Sequence, residues 1–347
     1  MVGERPTIAD VAREAGVSKG LVSFALNDRP GVSAETKTRI LAVAKDLGFS
    51  PSLRARSLSS DRAFALGLVI ARDPEIISGD PFFPAFIAGV ESALAPVGQA
   101  LVLSMVGDEA SEITTYRQLA SHARVDGVIL SDLRRADPRI ALVQSLGLKA
   151  VTLGHPDIPS ALPAVSLDDG PGIQSAVAHL VELGHRRIAH VSGPSRMLHG
   201  SRRSASFAQA LAGLDLQPGP IVETDYSAAD GARATRDLLA LADRPTAIVY
   251  ANDPMAIAGL GIAQRAGFTV PGDLSITGFD GSEVGQYIHP ALTTVTTEAQ
   301  AWGRQAAEAL LRVIAGETVD DIELTPATLV IRESSARPGT ATIRSAM

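Results

Sequence analysis

Asn252 and Asp280 each close a short apolar run, 247–252 and 275–280, and Ser131 closes another at 127–131. A polar group at the carboxyl end of a buried strand is placed to orient a ligand, so these three are the first candidates for chemistry. Asp80-Pro81-Phe82-Phe83 follows a further run, 65–71, and Phe82 or Phe83 there can stack on the apolar face of a sugar or a base, although core packing explains them as well. Asp253 reads as the cap of the helix after Asn252. The remaining chemistry-bearing patterns lead nowhere catalytic. His179, His185 and His190 lack the spacing of metal ligands, and His185, after Gly184, is expected to stabilise the end of its helix. Gly259-Leu260-Gly261 imitates half of a dinucleotide fingerprint inside a helix, where close packing accounts for it. The chain has no cysteine, no nucleophile elbow, no phosphate-binding loop and no paired carboxylates. No catalytic residue, metal or cofactor is therefore expected.

The elements that must hold the candidates are short apolar strands at 65–71, 100–106, 127–131, 149–154, 188–193, 247–252 and 275–280, alternating with helical segments. That alternation predicts an α/β body with parallel sheets covered by helices on both faces. Some 270 residues of it make two lobes, with the ligand between them at the carboxyl ends of the strands. With 347 residues in all, two or three folding units are expected. No run approaches the ~18 to 20 apolar residues of a membrane span, and residues 1–30 carry charges throughout, so a cytoplasmic protein with no membrane partner is expected.

The first sixty residues are different. Residues 1–62 hold ten Lys/Arg against seven Asp/Glu, a net +3, while the rest of the chain carries −10. A basic head on an acidic body is the asymmetry of a protein whose head alone meets phosphates. In the head, Thr7 caps an amphipathic helix with apolar residues at 8, 11, 12 and 15. Gly16 permits a left-handed turn, Ser18 caps a second helix through Leu21, Val22, Ala25 and Leu26, and a third runs from Ser33 to Leu47 before Gly48. This is a helix-turn-helix with a supporting helix.

The run TIADVAREAGVSKGLVSFALNDRPGVSAETKTRILAVAKDLGFSPS resembles the DNA-binding head of the lactose-repressor/galactose-repressor family of bacterial regulators. The body resembles the effector domain of the same family, itself similar to periplasmic sugar-binding proteins, through DPFFPAFIAGVE, VDGVILS, HLVELGHRRIAHVSGP, AIVYANDPMAIAGL and DLSITGFDGSEVGQYIHPALTTV. The resemblance implies that Lys19, Gly20, Phe24 and Asn27 of the second helix face base edges and that Thr7, Ser18, Ser23 and Thr36 reach phosphates. Where relatives carry a base-reading polar side chain this chain has Phe24, suited to a thymine methyl. It implies further that Pro51 to Arg62 forms a hinge helix on DNA, with Leu58 wedged in the minor groove, Ala55 allowing paired hinges to approach, and Arg54 attracting phosphate. In the body it points to Arg203 and Tyr226 as effector contacts beside Phe82, Phe83, Ser131, Asn252 and Asp280. Gly154-His155 stands where the family often has an acidic residue.

The expected domains are a head at 1–50, a hinge at 51–62, an effector domain at 63–334 and a flexible tail at 335–347. The effector domain divides into lobe 1, about 63–162 and 297–325, and lobe 2, about 163–296 and 326–334. The function implied is a repressor that binds a pseudo-palindromic operator in double-stranded DNA under allosteric control by a small molecule, a sugar or sugar derivative. A purine-responsive regulator and a solute receptor without a regulatory role remain as alternatives. The tail has no leucine heptads, so a homodimer is expected.

Overall fold

The computed structural model describes residues 6–26, 29–49 and 62–339. The chain divides into two compact units, Met1–Phe64 and Ala65–Met347. In the first, helices α1 (Ile8–Ala15), α2 (Lys19–Leu26) and α3 (Ala34–Asp46) form where caps and apolar spacing coincide. Asp10 accepts both the backbone N–H (2.9 Å) and the hydroxyl (2.7 Å) of Thr7, closing the start of α1. Gly16 takes the left-handed φ of 66° that ends it. Ser18 Oγ accepts from Leu21 N–H, and Ser33 Oγ from Thr36 N–H. Among the described residues the core has seven buried side chains: Val11, Ala12, Ala15, Val22, Ala25, Ile40 and Ala44. So small a core leaves the caps a large share of the stability.

The second unit contains two six-stranded sheets. The first has the order β11-β5-β4-β3-β1-β2, formed by β1 (Ala65–Ala71), β2 (Ala100–Val106), β3 (Gly127–Leu130), β4 (Lys149–Leu153), β5 (Ala164–Ser166) and β11 (Ile322–Glu323). The second has the order β12-β10-β9-β8-β6-β7, formed by β6 (Ile188–Ser192), β7 (Ile221–Glu223), β8 (Ala247–Tyr250), β9 (Ser275–Asp280), β10 (Thr293–Thr296) and β12 (Thr328–Val330). Strand pairing is parallel except between β10 and β12. Both faces of the second sheet are covered. Ile188, Ala247 and Val249 pack with Ile173, Val177 and Phe207 on one side, and Ala189, Val191, Ile248 and Tyr250 with Leu238, Met255 and Leu260 on the other. A strand alternates its side chains, so burial on both faces demands the unbroken apolar runs seen in the sequence.

The chain passes between the lobes three times, at 167–169, 297–298 and 324–327. The first passage follows Ser166, a little beyond the expected boundary at 162, because Ala164 and Val165 still pair with Thr152 and Leu153. Helices α5 (Phe82–Leu94) and α12 (Ala299–Ile314) cross in backbone contact: a Cβ on Gly303 would stand 2.0 Å from Phe86 O. This approach brings Phe82 and Trp302 edge to face at 5.7 Å, at the mouth of the cleft. The segment 335–339 departs from the expected flexible tail. His185 bonds Thr246 Oγ1 through Nδ1 and both Ser275 Oγ and Ala336 O through Nε2, His179 meets Ser335, and Gly339 N–H donates to Gly272 O. The His185 side chain thus fastens residues 335–339 to lobe 2, while its backbone N–H closes the end of its own helix by donating to Leu180 O at 3.0 Å. Burial holds its pKa below the usual histidine range, in keeping with a neutral ring that donates from Nε2.

Candidate functional site

The head presents Ser18, Lys19 and Gly20 at the start of α2, all exposed, followed by half-buried Ser23 and by Phe24 with 40% of its surface exposed. Ser18 Oγ accepts from the helix, which leaves its own proton to donate outward. The Thr36 hydroxyl accepts from Ser33 at 2.8 Å and likewise keeps its proton. Thr7 is exposed but gives its hydroxyl proton to Asp10, so a phosphate there would compete with that carboxylate. Asn27, Arg54, Ala55 and Leu58 lie outside the described residues.

In the second unit the cleft between the lobes is lined by Arg72, Asp80, Phe82, Ser131, Asp132, Leu153, Asp169, His199, Arg203, Tyr226, Asn252, Asp280 and Trp302. It encloses about 80 Å³. Two arginines organise it. Arg72, directly after β1, grips Asp132 with two bonds of 2.6 and 2.5 Å and reaches Asp80 at 3.3 Å. Its guanidinium lies 5.2 Å from the ring centres of both Phe83 in lobe 1 and Tyr226 in lobe 2. Arg203 comes from α9 (Leu198–Ala212). Its Nε donates to Asp169 at 2.8 Å and Nη1 to Ala251 O at 2.7 Å; Nη2 stands 3.9 Å from Asp280, and the guanidinium lies 3.7 Å over Phe279. Burial opposes both charges, and the surrounding aspartates overcome it and hold both arginines protonated.

The carboxylates separate according to their partners. Burial would raise Asp132, but Arg72 outweighs it and lowers the group to about 2. Asp80 and Asp280 remain raised by burial, with Arg72 and Arg203 countering only in part. His199 is pushed down to about 3 by burial, and Arg203 and Arg72 add to this, so its ring is neutral where it stacks on Tyr226 at 5.4 Å. Asp132, Tyr226 and Asp280 all have positive φ, 51°, 75° and 93°. Such backbone costs of order 1–3 kcal/mol per residue and persists where the surroundings impose it, commonly at ligand sites. The fold makes space for Tyr226 by omission: a Cβ on Gly193 would fall 1.9 Å from its ring. Three buried polar atoms in the lining, Ser131 Oγ, Asp169 Oδ1 and Tyr226 Oη, have no hydrogen-bond partner among the described residues.

Of the residues singled out in the sequence, Phe82, Ser131, Arg203, Tyr226, Asn252 and Asp280 come together in this lining. Phe83 does not: it is buried beneath Arg72 in the core of lobe 1. In the Asn252–Asp253 pair it is Asn252, still in the cleft lining, that caps the helix. Asn252 Oδ1 accepts from Met255 N–H and so caps α11 (Asp253–Arg265), while its Nδ2 donates to Tyr226 O; both ends of the amide are engaged. Asp253 instead points inward to the Ser282 N–H and Thr294 hydroxyl. The sequence offered no sign of a carboxylate-rich pocket, yet four aspartates line it. Arg72, Asp80, Asp132, Leu153, Asp169, His199 and Trp302 were missed. Arg72 and Asp132 sit one residue or two beyond strand ends that were recognised, and extending the strand-end criterion that far finds them.

Comparison with known proteins agrees with both units. Residues 7–52 match the family model of bacterial regulatory proteins, lacI family, and residues 177–335 match a periplasmic binding protein-like domain. The HTH-type transcriptional regulator CelR of Thermobifida fusca is 32% identical over 335 residues, spanning 95% of this chain and 98% of the relative. The solved CelR–cellobiose complex superposes with a TM-score of 0.74 at 31% identity, covering 95% of this chain and all of that one. The lac repressor dimer bound to operator and the anti-inducer ONPF superposes with a TM-score of 0.82 at 28% identity, covering 96% and 100%. With a capped helix-turn-helix, a two-lobed body and a cleft built for binding, the chain belongs to the lacI family of bacterial regulatory proteins, DNA-binding transcriptional regulators and not enzymes.

Proposed function

We propose that this protein is a dimeric repressor whose operator affinity is set by an uncharged sugar held between the lobes. The observation that carries the ligand class is the cleft's inventory: four aspartates against two arginines, with Ser131 Oγ, Asp169 Oδ1 and Tyr226 Oη unpartnered. Carboxylates and arginines in alternation accept from and donate to vicinal hydroxyls, Phe82 and Trp302 offer faces for the apolar side of a ring, and the excess of aspartate disfavours a phosphorylated or carboxylated ligand. The cellobiose bound by CelR and the operator-bound dimer of the lac repressor support the same reading. In it residues 1–50 read DNA, with Thr7, Ser18, Ser23 and Thr36 on phosphates and Lys19, Gly20, Phe24 and Asn27 on bases. Residues 51–62 form the hinge with Arg54, Ala55 and Leu58 on DNA, and Phe82, Ser131, Arg203, Tyr226 and Asp280 hold the effector. A two-fold dimer reads a pseudo-palindromic site. Effector and operator shift each other's affinity by one common factor.

The test is selection of an operator from random duplexes, followed by anisotropy titration in the presence of neutral sugars, sugar phosphates and nucleobases. A neutral sugar should shift operator affinity, and Asp280→Asn should abolish the shift while leaving effector-free operator binding intact. A response to a sugar phosphate or a nucleobase alone would overturn the ligand class.

A further inference from the structure

Besides the three passages of the chain, the lobes are joined by a short main-chain ribbon. Arg134, in the loop after β3 of lobe 1, forms an antiparallel bridge with Met197 of lobe 2. Leu198 N–H donates to Leu133 O at 2.8 Å and Arg135 N–H to Arg196 O at 3.1 Å, so two main-chain bonds cross from lobe to lobe. Leu133, Met197 and Leu198 are buried around them. Charge continues the join outward. Arg134 bonds Glu112 in the interior of lobe 1, and its Nε stands 3.5 Å from Glu109 on α6 (Glu109–Ser121). The same Glu109 oxygen accepts from Arg196 of lobe 2 at 2.6 Å.

The ribbon adjoins the effector groups without being one of them. The loop that supplies Leu133 also carries Ser131 and Asp132, and Leu198 opens α9, which carries His199 and Arg203, yet no residue of 133–135 or 196–198 lines the cleft. Main-chain groups held away from water are costly to leave unpaired, so the ribbon favours closed lobes with no help from a ligand. Closed lobes in turn leave no way in. Ser131, Tyr226 and Arg203 expose 3%, 4% and 8% of their surface, and about 80 Å³ is well below the roughly 300–1,000 Å³ of ordinary small-molecule sites.

We infer that residues 133–135 and 196–198 form an interlobe latch that keeps the lobes shut by itself and must part to admit the effector. This rests on the effector reading given above for what passes the latch. Because the same ribbon closes before and after entry, its strength sets how fast the effector enters and leaves and cancels from the affinity.

Hydrogen exchange of the full-length protein, with no sugar added, reads the latch directly, since the Arg135 and Leu198 amides donate across it. Both should exchange at least about a hundredfold more slowly than in an unstructured chain. Arg196→Glu turns the outer attraction into repulsion and should speed both amides together by about fivefold, with the amides of β3 and β6 unchanged. The chain has no cysteine, so Arg135→Cys combined with Arg196→Cys offers a single disulfide. Facing positions of an antiparallel pair lie about 5.5 Å apart, within reach of that bond. It should form in air and leave operator affinity within twofold of wild type, because it locks an arrangement already occupied. Glucose, galactose and cellobiose are then tested on the oxidised protein: a sugar that shifts wild-type operator affinity should do nothing until dithiothreitol is added. Amides that exchange as in a free chain, a pair that stays reduced, or a tenfold change of operator affinity on oxidation would each mean that the lobes rest apart, and the latch falls. An undiminished sugar response in the oxidised protein would overturn its part in entry. If no sugar acts on the wild type, the effector reading fails instead, and exchange and crosslinking still judge the latch.

Discussion

Two clusters of buried arginines and carboxylates meet at the loop after β3, and they are finished differently. In the first, Arg139, 1% exposed, donates through Nε to Asp137 at 3.0 Å, through Nη1 to Glu112 at 2.7 Å, and through Nη2 to Asp137 and to the carbonyls of Ser131 and Asp132. Arg134 bonds the other oxygen of Glu112. Every nitrogen of Arg139 is spent on protein. The second cluster, around Arg72 and Arg203, shares the same loop through Asp132 but surrounds a void and keeps Ser131 Oγ, Asp169 Oδ1 and Tyr226 Oη uncommitted. Arg134 Nη1 in the first cluster also has no partner among the described residues, but Arg134 does not line the cleft. Burial and charge do not by themselves distinguish scaffold from site. What distinguishes them is whether the side chains with unspent hydrogen-bonding capacity line a space a ligand can fill.

Removing the central arginine of each cluster tests this most severely. Arg139→Met strands Asp137 in a closed interior and leaves Glu112 to Arg134 alone, and breaking a buried pair in this way costs ~3–5 kcal/mol. Urea unfolding should show that loss as a lower midpoint at constant slope. Arg203→Met leaves Asp169 and Asp280 beside an opening where they can protonate or hydrate, and should cost less than ~2 kcal/mol by the same measurement. Equal losses in the two variants would mean that the cleft network is scaffold too.

A smaller effect comes from a carboxyl held without a guanidinium. Asp253 receives the Ser282 N–H and the Thr294 hydroxyl, but burial outweighs them and lifts its pKa to about 7, whereas Arg72 takes Asp132 down to about 2. Between its ordinary value of 3.8 and about 7 the folded chain keeps a proton on Asp253 that the unfolded chain has lost. Stability contributed by this group therefore falls as pH rises through that window and levels off above it, by at most roughly 4 kcal/mol at 1.36 kcal/mol per unit. Thermal unfolding of wild type and Asp253→Asn from pH 4 to 8 should show a steeper decline in the wild type than in the variant. Asp80 and Asp280 are also raised and slope in the same sense, so the difference between the two proteins is the quantity to read.

The head and the seven long strands were legible because local signals coincided there. Thr7, Gly16, Ser18 and Ser33 mark helix ends by caps, and runs such as ALGLVIA and ALVLSMV admit little besides a strand. Five strands went unread. AVS, IVE, TTVT, IE and TLV are two to four residues long, too short for any period, and exist because neighbours offer them an edge. The site was half legible for a similar reason. Strand ends are local, so Asn252, Asp280 and Ser131 could be located, though not what their side chains do. Asp169 and His199 reach the cleft through the lobe crossing and the start of α9, which depend on how two sheets meet. The cap was read at Asp253 and not at Asn252 because either can cap a helix, and only the position of Ser282 and Thr294, thirty to forty residues on, decides which one turns inward.

The mildest test separates charge from shape within the cleft. Arg203→Lys keeps a cation near Asp169 and Asp280 but gives up the planar fork that serves Asp169, the Ala251 carbonyl and the face of Phe279 together. The ammonium can still neutralise the aspartates, so stability should change by less than ~1 kcal/mol. A sugar hydroxyl pair aligned on Asp280 and on the outer guanidinium nitrogen, Nη2, would lose one donor and the orientation of the other, a loss of roughly 1.5–3 kcal/mol. Titration followed by Trp302 emission should accordingly show effector affinity reduced about tenfold to a hundredfold with the unfolding midpoint nearly unmoved. An unfolding midpoint that shifts while effector affinity holds would assign Arg203 to the scaffold, on the same side of the comparison as Arg139.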